Sequence, residues 1–342
     1  MDLDLGTEER ELLQVIRQIA DRMGAGQLTR ESTAQWWQVL GDGGFLDLDV
    51  DDGDTALQAV CIAEALGESV APVGFGSYLT CRMLMRDIAA AGDASQLAAA
   101  AVTAWQQGDP GSFAVGYATG PGQGLAESLG PAPRFAAVHT GAGWLLLDAA
   151  GFRLGPPSSW EEAPALSAVS WDETAAYLAE PGKRDWNQLN LVLHAAELVG
   201  VVRESVRRTI EYLRAREQFG RPIGSFQALQ HRTADMVADL RACEATIEYV
   251  GWYWGGAPDA STTAAWVAAA AALVDEASIA AMRECFQFHG GIAMTAELWF
   301  HHWFRRASRL AAYQGGPNAQ LAVVGAAVKA GVTLEVPLVG AP

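Results

Sequence analysis

The run Arg216-Glu217-Gln218-Phe219-Gly220-Arg221-Pro222-Ile223-Gly224, followed by Phe226-Gln227, gathers groups able to hold a nucleotide. Arg216 offers a planar fork of N–H donors suited to a phosphate, Phe219 a stacking face, and Gln227 a neutral amide for a nucleotide or a backbone. The glycines mark a break between two long helical segments. Two readings share these residues: a cofactor arm, or a helix–helix corner with an exposed charged turn. A second candidate is Gln287-Phe288-His289-Gly290-Gly291, whose paired glycines either admit a ligand close to the backbone or simply turn the chain.

Other polar groups have plainer readings. Glu197 and Glu204 follow Asn190 by seven and fourteen residues, on about one face of a helix. With Arg203, Arg207, Arg208 and Arg214 nearby they read, like Glu217, as ion-pair partners rather than bases. His301 and His302, framed by Trp299, Phe300, Trp303 and Phe304, would diverge by about 100° on a helix and so do not converge on one metal ion. The Trp252-Tyr253-Trp254-Gly255-Gly256 cluster reads as a helix end packed against a partner.

The elements that must carry these residues follow from periodicity. Over 1–106 the pattern is helical: Thr7 is placed to cap a turn bearing Glu8 and Glu9, with Leu12, Leu13, Ile16 and Ile19 behind it. Apolar runs Leu57–Leu66 and Ser77–Ala91 predict buried helices stopped by Gly67 and Gly92. Over 107–185 short runs such as Phe113-Ala114-Val115 and Trp144–Leu147 alternate with glycine turns, which predicts hairpins and a small β domain. From 186 to 342 long helices over Leu189–Arg216, Ser225–Tyr253, Ser261–His289 and Asn318–Ala330 suggest a four-helix bundle. The predicted class is α+β, mostly α.

Composition narrows the function. The chain has 342 residues, half of them hydrophobic, enough to bury a sizeable core as a soluble globular protein. A formal charge of −17, from 40 acidic and 23 basic residues, argues against nucleic acid or an anionic membrane as partner, so any bound phosphate must meet local arginines. Cys61, Cys81, Cys243 and Cys285 lack metal-ligand spacing and read as reduced core residues of a cytoplasmic protein. The acidic opening Met1-Asp2-Leu3-Asp4-Leu5 is unlike a secretion signal, and no uninterrupted apolar run of membrane-spanning length is expected.

The Arg216-x-x-Phe219-Gly220 run, the Gln287-x-x-Gly290-Gly291 turn, and the all-α, β, all-α order resemble the acyl-CoA dehydrogenases, flavoenzymes that desaturate the carbon pair beside a CoA thioester. The resemblance implies that Arg216, Phe219, Gln227, Gln287 and Gly291 hold the ADP half of a FAD whose ring lies in a neighbouring subunit. It also implies a base, and here the chain departs from the family. Tyr313-Gln314-Gly315-Gly316 stands where the family has Tyr-Glu-Gly, so Gln314 occupies the usual carboxylate position. The alternative base position, 26 residues before Arg216, is Asn190, and the arginine usual beside it is Leu191. Neither amide accepts a proton near neutral pH. In the middle domain Gly116-Tyr117-Ala118-Thr119-Gly120-Pro121-Gly122 replaces the family's flavin-ring turn. Arg305, Arg306 and Arg309 match a charged helix end of the family and read as structural or interface residues. These losses resemble the small, non-catalytic subunits of actinobacterial α2β2 acyl-CoA dehydrogenases of steroid side-chain degradation. They imply a FAD-dependent heterotetramer in which a complete partner subunit supplies the catalytic glutamate and the acyl-CoA pocket. A homo-oligomeric enzyme with an unrecognised base and a flavin-free scaffold are the alternatives.

Overall fold

A computed structural model describes residues 6–24, 30–92, 95–157, 166–172, 177–179, 184–256, 260–295 and 297–334. The opening Met1–Leu5 lies outside them. The architecture is ten α-helices among the described residues and a small sheet, the mostly helical α+β class that the sequence predicts. Contacts gather the chain into two compact units that interleave in sequence. One unites residues 28–49 with 72–190, the other 1–27 with 50–71 and 191–342.

The first unit holds α2 (Arg30–Asp42), α4 (Phe75–Ala91), α5 (Gln96–Gln106) and a seven-stranded sheet in the order β5-β6-β2-β1-β3-β4-β7. β1 (Phe113–Gly120) and β2 (Gln123–Ser128) form a hairpin turned by Pro121-Gly122, with Gly122 at φ 63°. Most of the segment expected to stand for a flavin-ring turn is therefore regular strand. β3 (Phe135–His139) runs parallel to β1 and antiparallel to β4 (Trp144–Asp148); β5 (Phe152–Pro157), β6 (Leu166–Trp171) and β7 (Tyr177–Ala179) complete the sheet. A file of rings, Trp37, Tyr78, Trp105, Phe113 and Phe135, with successive centroids 5.2–5.3 Å apart, binds α2, α4 and α5 to the sheet's inner face.

The second unit contains α1 (Thr7–Met23), α3 (Gly53–Ser69), most of α6 (Trp186–Ala215), α7 (Gln227–Gly256), α8 (Ala260–His289), α9 (Phe300–Ala311) and α10 (Gly316–Lys329). Gly6, not Thr7, holds the cap position of α1. α9 is a shorter fifth helix beside the four long ones expected. α3 does not stop at Gly67 but runs through it to Ser69. A Cβ at Gly67 would lie 2.1 Å from the Glu197 carbonyl oxygen on α6, and one at Gly200 would lie 1.9 Å from that of Glu64 on α3. These glycines let two backbones touch; neither ends a helix.

Arg203 of α6 sits beside that crossing. It donates to Glu64 (2.6 Å) and Glu68 (2.9 Å) of α3 and to Glu244 (2.6 Å) of α7, while Arg17 of α1 also reaches Glu68 at 2.6 Å. Glu64 is fully buried, and its second carboxylate oxygen has no partner among the described residues. Burial accordingly pushes its pKa upward.

The helical segment Ala260–Met294 is long and apolar enough to cross a membrane by length and composition, holding an 18-residue stretch of mean hydropathy 1.5; charged residues such as Asp275 and Glu276 interrupt its apolar residues, and 61% of that stretch is buried inside the protein. Trp254 and Trp303 are buried, and Trp252 packs on Gly53 while Gly255 meets Asp52, so this helix end packs on α3 of the same chain. All four cysteines are buried and none is in a disulfide.

Candidate functional site

The arm begins where α6 ends. The Arg216 amide closes the last turn on the Tyr212 carbonyl (2.8 Å), after which two-residue strands β8 (Glu217–Gln218) and β9 (Arg221–Pro222) pair antiparallel. Phe219 (φ 53°) and Gly220 (φ 78°) make the turn between them, both left-handed as a two-residue hairpin of matching twist requires. Glycine takes that conformation freely, whereas phenylalanine is strained in it. The strain presents the Phe219 ring 92% exposed to solvent. Behind the hairpin the Ile223 amide donates to the Arg216 carbonyl (2.8 Å), the Ser225 hydroxyl to Pro222 O (2.7 Å), and the Gln230 side-chain amide to Gly224 O (3.1 Å). Arg216 and Gln227, the latter opening α7, are exposed, and no carboxylate among the described residues pairs with Arg216.

The glycine turn ends α8. Gln287 is exposed in its last turn, Gly290 takes φ 65°, and nothing lies within 4 Å of a Cβ built on Gly291. Ile292 and Met294, just beyond, are exposed apolar residues. The helices flanking the arm reach the turn's Phe288 and His289 through Tyr212 and Arg232, which sequence reading did not single out. Tyr212, four residues before Arg216, stacks on His289 at 4.5 Å, and the Arg232 guanidinium of α7 lies 4.9 Å from the Phe288 ring of α8 while pairing with Glu284. His289 is buried, and burial lowers its pKa, so the neutral ring donates from Nδ1 to Cys285 O at 2.8 Å. Nothing in the spacing of Tyr212 and His289 marks this pairing across helices.

The base positions are of a different kind. Tyr313 is buried and lies flat on His194, ring centroids 3.8 Å apart. Gln314, Gly315 and Gly316 then take three consecutive positive φ values of 51°, 88° and 66°, so the amide sits on a tight left-handed corner whose carbonyl receives the Gln320 side chain at 3.4 Å. Asn190 is fully buried near the start of α6, with Leu191 also buried beside it. Two acidic candidates are engaged, Glu197 with buried Arg306 (2.6 Å) and Glu204 with Arg207 (2.7 Å) and Arg208 (2.6 Å), whereas Glu217, also expected to pair, is exposed and in no ion pair among the described residues. His301 and His302 face each other with ring centroids 3.9 Å apart, and no group of three metal-ligating residues occurs among the described residues.

Residues 190–329 match the acyl-CoA dehydrogenase C-terminal domain. Acyl-CoA dehydrogenase IpdE2 of Mycobacterium tuberculosis is 35% identical over 46% of this chain and 46% of its own length; that of Mycolicibacterium smegmatis is 37% identical over 50% and 51%. The chain thus spans about half the length of these relatives. In three dimensions the ChsE4-ChsE5 complex from Mycobacterium tuberculosis covers 96% of this chain and 99% of its own at a TM-score of 0.72 and 22% identity. The Tcur3481-Tcur3483 steroid ACAD G363A variant matches at 0.76 and 20%, with the same coverage. The chain has the fold of the acyl-CoA dehydrogenases, and its residues 190–329 match the C-terminal domain of that family.

Proposed function

We propose that this chain is the non-catalytic subunit of a heteromeric, FAD-dependent acyl-CoA dehydrogenase of the cytoplasm. Arg216, Phe219, Gln227, Gln287 and Gly291 hold the ADP half of a flavin whose ring, acyl thioester and catalytic glutamate belong to a complete partner subunit. One contrast carries this reading: the arm keeps every outward group that a nucleotide needs, while both base positions hold amides. The arm fits the ligand on its own terms. Arg216 has no carboxylate competing with a pyrophosphate among the described residues, Phe219 is largely exposed, and the Gly291 face is open where a side chain would block an approaching nucleotide.

Bound FAD supplies the hydride acceptor for a desaturation beside a thioester. The Arg216 fork offers paired N–H donors to a pyrophosphate, the Gln227 and Gln287 amides donate and accept without adding charge, and Phe219 covers an apolar face of the nucleotide. Gln314 and Asn190 cannot take the α-proton, so the proton must leave to a carboxylate outside this chain. Two fold neighbours are complexes of two differently named chains, and one is described as a steroid ACAD; these support an unlike partner and a steroid side-chain CoA ester as substrate class.

The deciding experiment tags this chain in its native host and counts flavin per chain. The expected result is a tetramer of two kinds of subunit with one flavin for each unlike pair, and colourless protein when this chain is made alone. Stoichiometric FAD with rapid desaturation by the isolated chain would overturn the half-site reading. A flavin-free native complex would leave only the scaffold alternative.

A further inference from the structure

Phe226 ends the loop at the threshold of α7, half-buried, and its backbone carbonyl accepts from the Leu229 and Gln230 amides (3.0 and 3.1 Å), so the ring is anchored to a long helix. The Arg221 guanidinium lies over its face at 4.1 Å. The Phe219 ring stands at 89° to it with centroids 6.1 Å apart, an edge-to-face pair. One anchored ring thus meets two parts of the hairpin: Arg221, which starts β9, and Phe219, in the turn that carries the left-handed strain.

We infer that Phe226 is a positioning residue, whose anchored ring holds the hairpin in its nucleotide-binding shape before any ligand or partner arrives. The inference rests on the reading of the arm as a nucleotide site and adds to it a residue with no assigned contact to the ligand. A two-residue hairpin is not stable by itself. Here the pairing of β8 with β9 is short, its turn is strained at Phe219, and most of its surface is exposed, so contacts from outside the hairpin must select this conformer. Phe226 supplies two of them. An arm already in place spends no binding energy on ordering, and the loss of Phe226 should therefore weaken nucleotide binding without removing any group that touches the nucleotide.

Three variants separate this role from plain packing. Phe226→Leu keeps apolar volume but loses the ring face; Phe226→Trp keeps the face; Arg221→Leu removes the stacked cation and leaves the helix start intact. In the full chain without ligand, trypsin cutting at the Arg216–Glu217 bond reports the hairpin, since Arg221 precedes Pro222 and is not cut. Cutting should accelerate in Phe226→Leu and Arg221→Leu and return towards wild type in Phe226→Trp, at an unchanged melting temperature. In the native complex, FAD affinity should fall about 5- to 30-fold for Phe226→Leu and about 2- to 5-fold for Arg221→Leu. Wild-type protection and wild-type FAD affinity in both variants, with Arg216→Ala losing the flavin, would overturn the positioning role and leave the nucleotide reading standing. If Arg216→Ala holds FAD as tightly as wild type, the nucleotide reading fails first, and the inference goes with it.

Discussion

The arm at Arg216–Gln227 and the corner at Tyr313–Gly316 both break the helical run with left-handed residues, yet they spend the strain in opposite ways. At the arm, positive φ at Phe219 pushes an aromatic ring out to 92% exposure beside an arginine with no ion-pair partner among the described residues. At the corner, positive φ at Gln314 follows a tyrosine buried against His194 and carries a side chain that cannot titrate. Backbone strain persists where surroundings over-determine it, and it marks sites worth testing. The difference teaches that one left-handed break in this chain turns its side chains out to solvent, as the proposed nucleotide arm requires, while the other sits on a tight turn whose side chain is an amide.

The hardest way to break that comparison is to look for chemistry at the corner. Desaturation by the chain alone should be at background, and Gln314→Glu should leave it there if, as proposed, the acyl pocket and the flavin ring belong to the partner subunit. In the native complex, changing the partner subunit's catalytic glutamate to glutamine should abolish turnover, at least the 10²- to 10⁴-fold that a positioned base contributes. Single-turnover reduction of the flavin by an acyl-CoA reads this directly. Activity that survives the partner's change and falls with a change here would reverse the assignment.

At the arm, Arg216→Ala should weaken flavin retention by about 10- to 100-fold, the loss of a charge-assisted bidentate contact worth about 1.5–3 kcal/mol. Arg216→Lys should restore only part of it, since an ammonium cannot reproduce the fork. Equilibrium dialysis of FAD against the complex gives the ratio, and equal affinity for all three proteins would make the arm structural.

The body that carries the arm is rigid where two backbones touch, and this too can be tested. Gly200→Ala puts a methyl 1.9 Å from Glu64 O, which forces α3 off α6 and should cost about 1–3 kcal/mol, or several degrees in melting temperature. The two turn glycines give a finer contrast. Gly290→Ala should cost about 1–2 kcal/mol of stability through its positive φ, whereas Gly291→Ala, with open space around it, should leave melting unchanged and weaken FAD binding. Lost stability but intact flavin in Gly291→Ala would return that turn to a purely structural role.

Much of this was legible from the chain alone, and the failures have a common cause. The helix stop at Gly92, hairpins around 113–148, and an exposed charged turn at Arg216 followed from local pattern. Gly67 did not, because a glycine in an apolar run looks the same whether it ends a helix or lets another helix approach, and the answer lies at Gly200 and Glu197, far along the sequence. The Trp252–Gly256 cluster suggested packing against a partner for the same reason: Asp52 and Gly53, which meet it, are remote in sequence. Tyr212 on His289, which ties the helix before the arm to the turn, is likewise a contact between helices. The neutral amides at Gln314 and Asn190 needed only the sequence, since what they cannot do is a property of the side chain.

The smallest expected effect concerns the interior that supports both regions. Glu248 of α7 has its pKa pushed up to about 7, first by burial and then by the Glu64 carboxylate, with Glu244 adding repulsion and Arg203 and Arg241 opposing it. In the unfolded chain the group returns to the ordinary carboxylate range, near 4.3. The folded state therefore binds this proton more tightly, so the contribution to stability is complete at low pH, is lost as pH rises from the ordinary range through about 7, and stays lost above it. Glu248→Gln removes that slope. The variant should match wild type near pH 5 and exceed it near pH 8 by about 1 kcal/mol, less than the full linkage value because the side chain is partly solvated. Arg17, Glu64, Glu68, Arg203, Arg241 and Glu244 remain in both proteins, so the difference between their melting curves isolates Glu248. FAD affinity should not change with it if, as proposed, binding belongs to the Arg216 arm rather than to the Arg203 cluster. A Glu248→Gln protein that melts like wild type at both pH values would show that Glu248 titrates in its ordinary range, and one that loses FAD would couple the two regions that the comparison keeps apart.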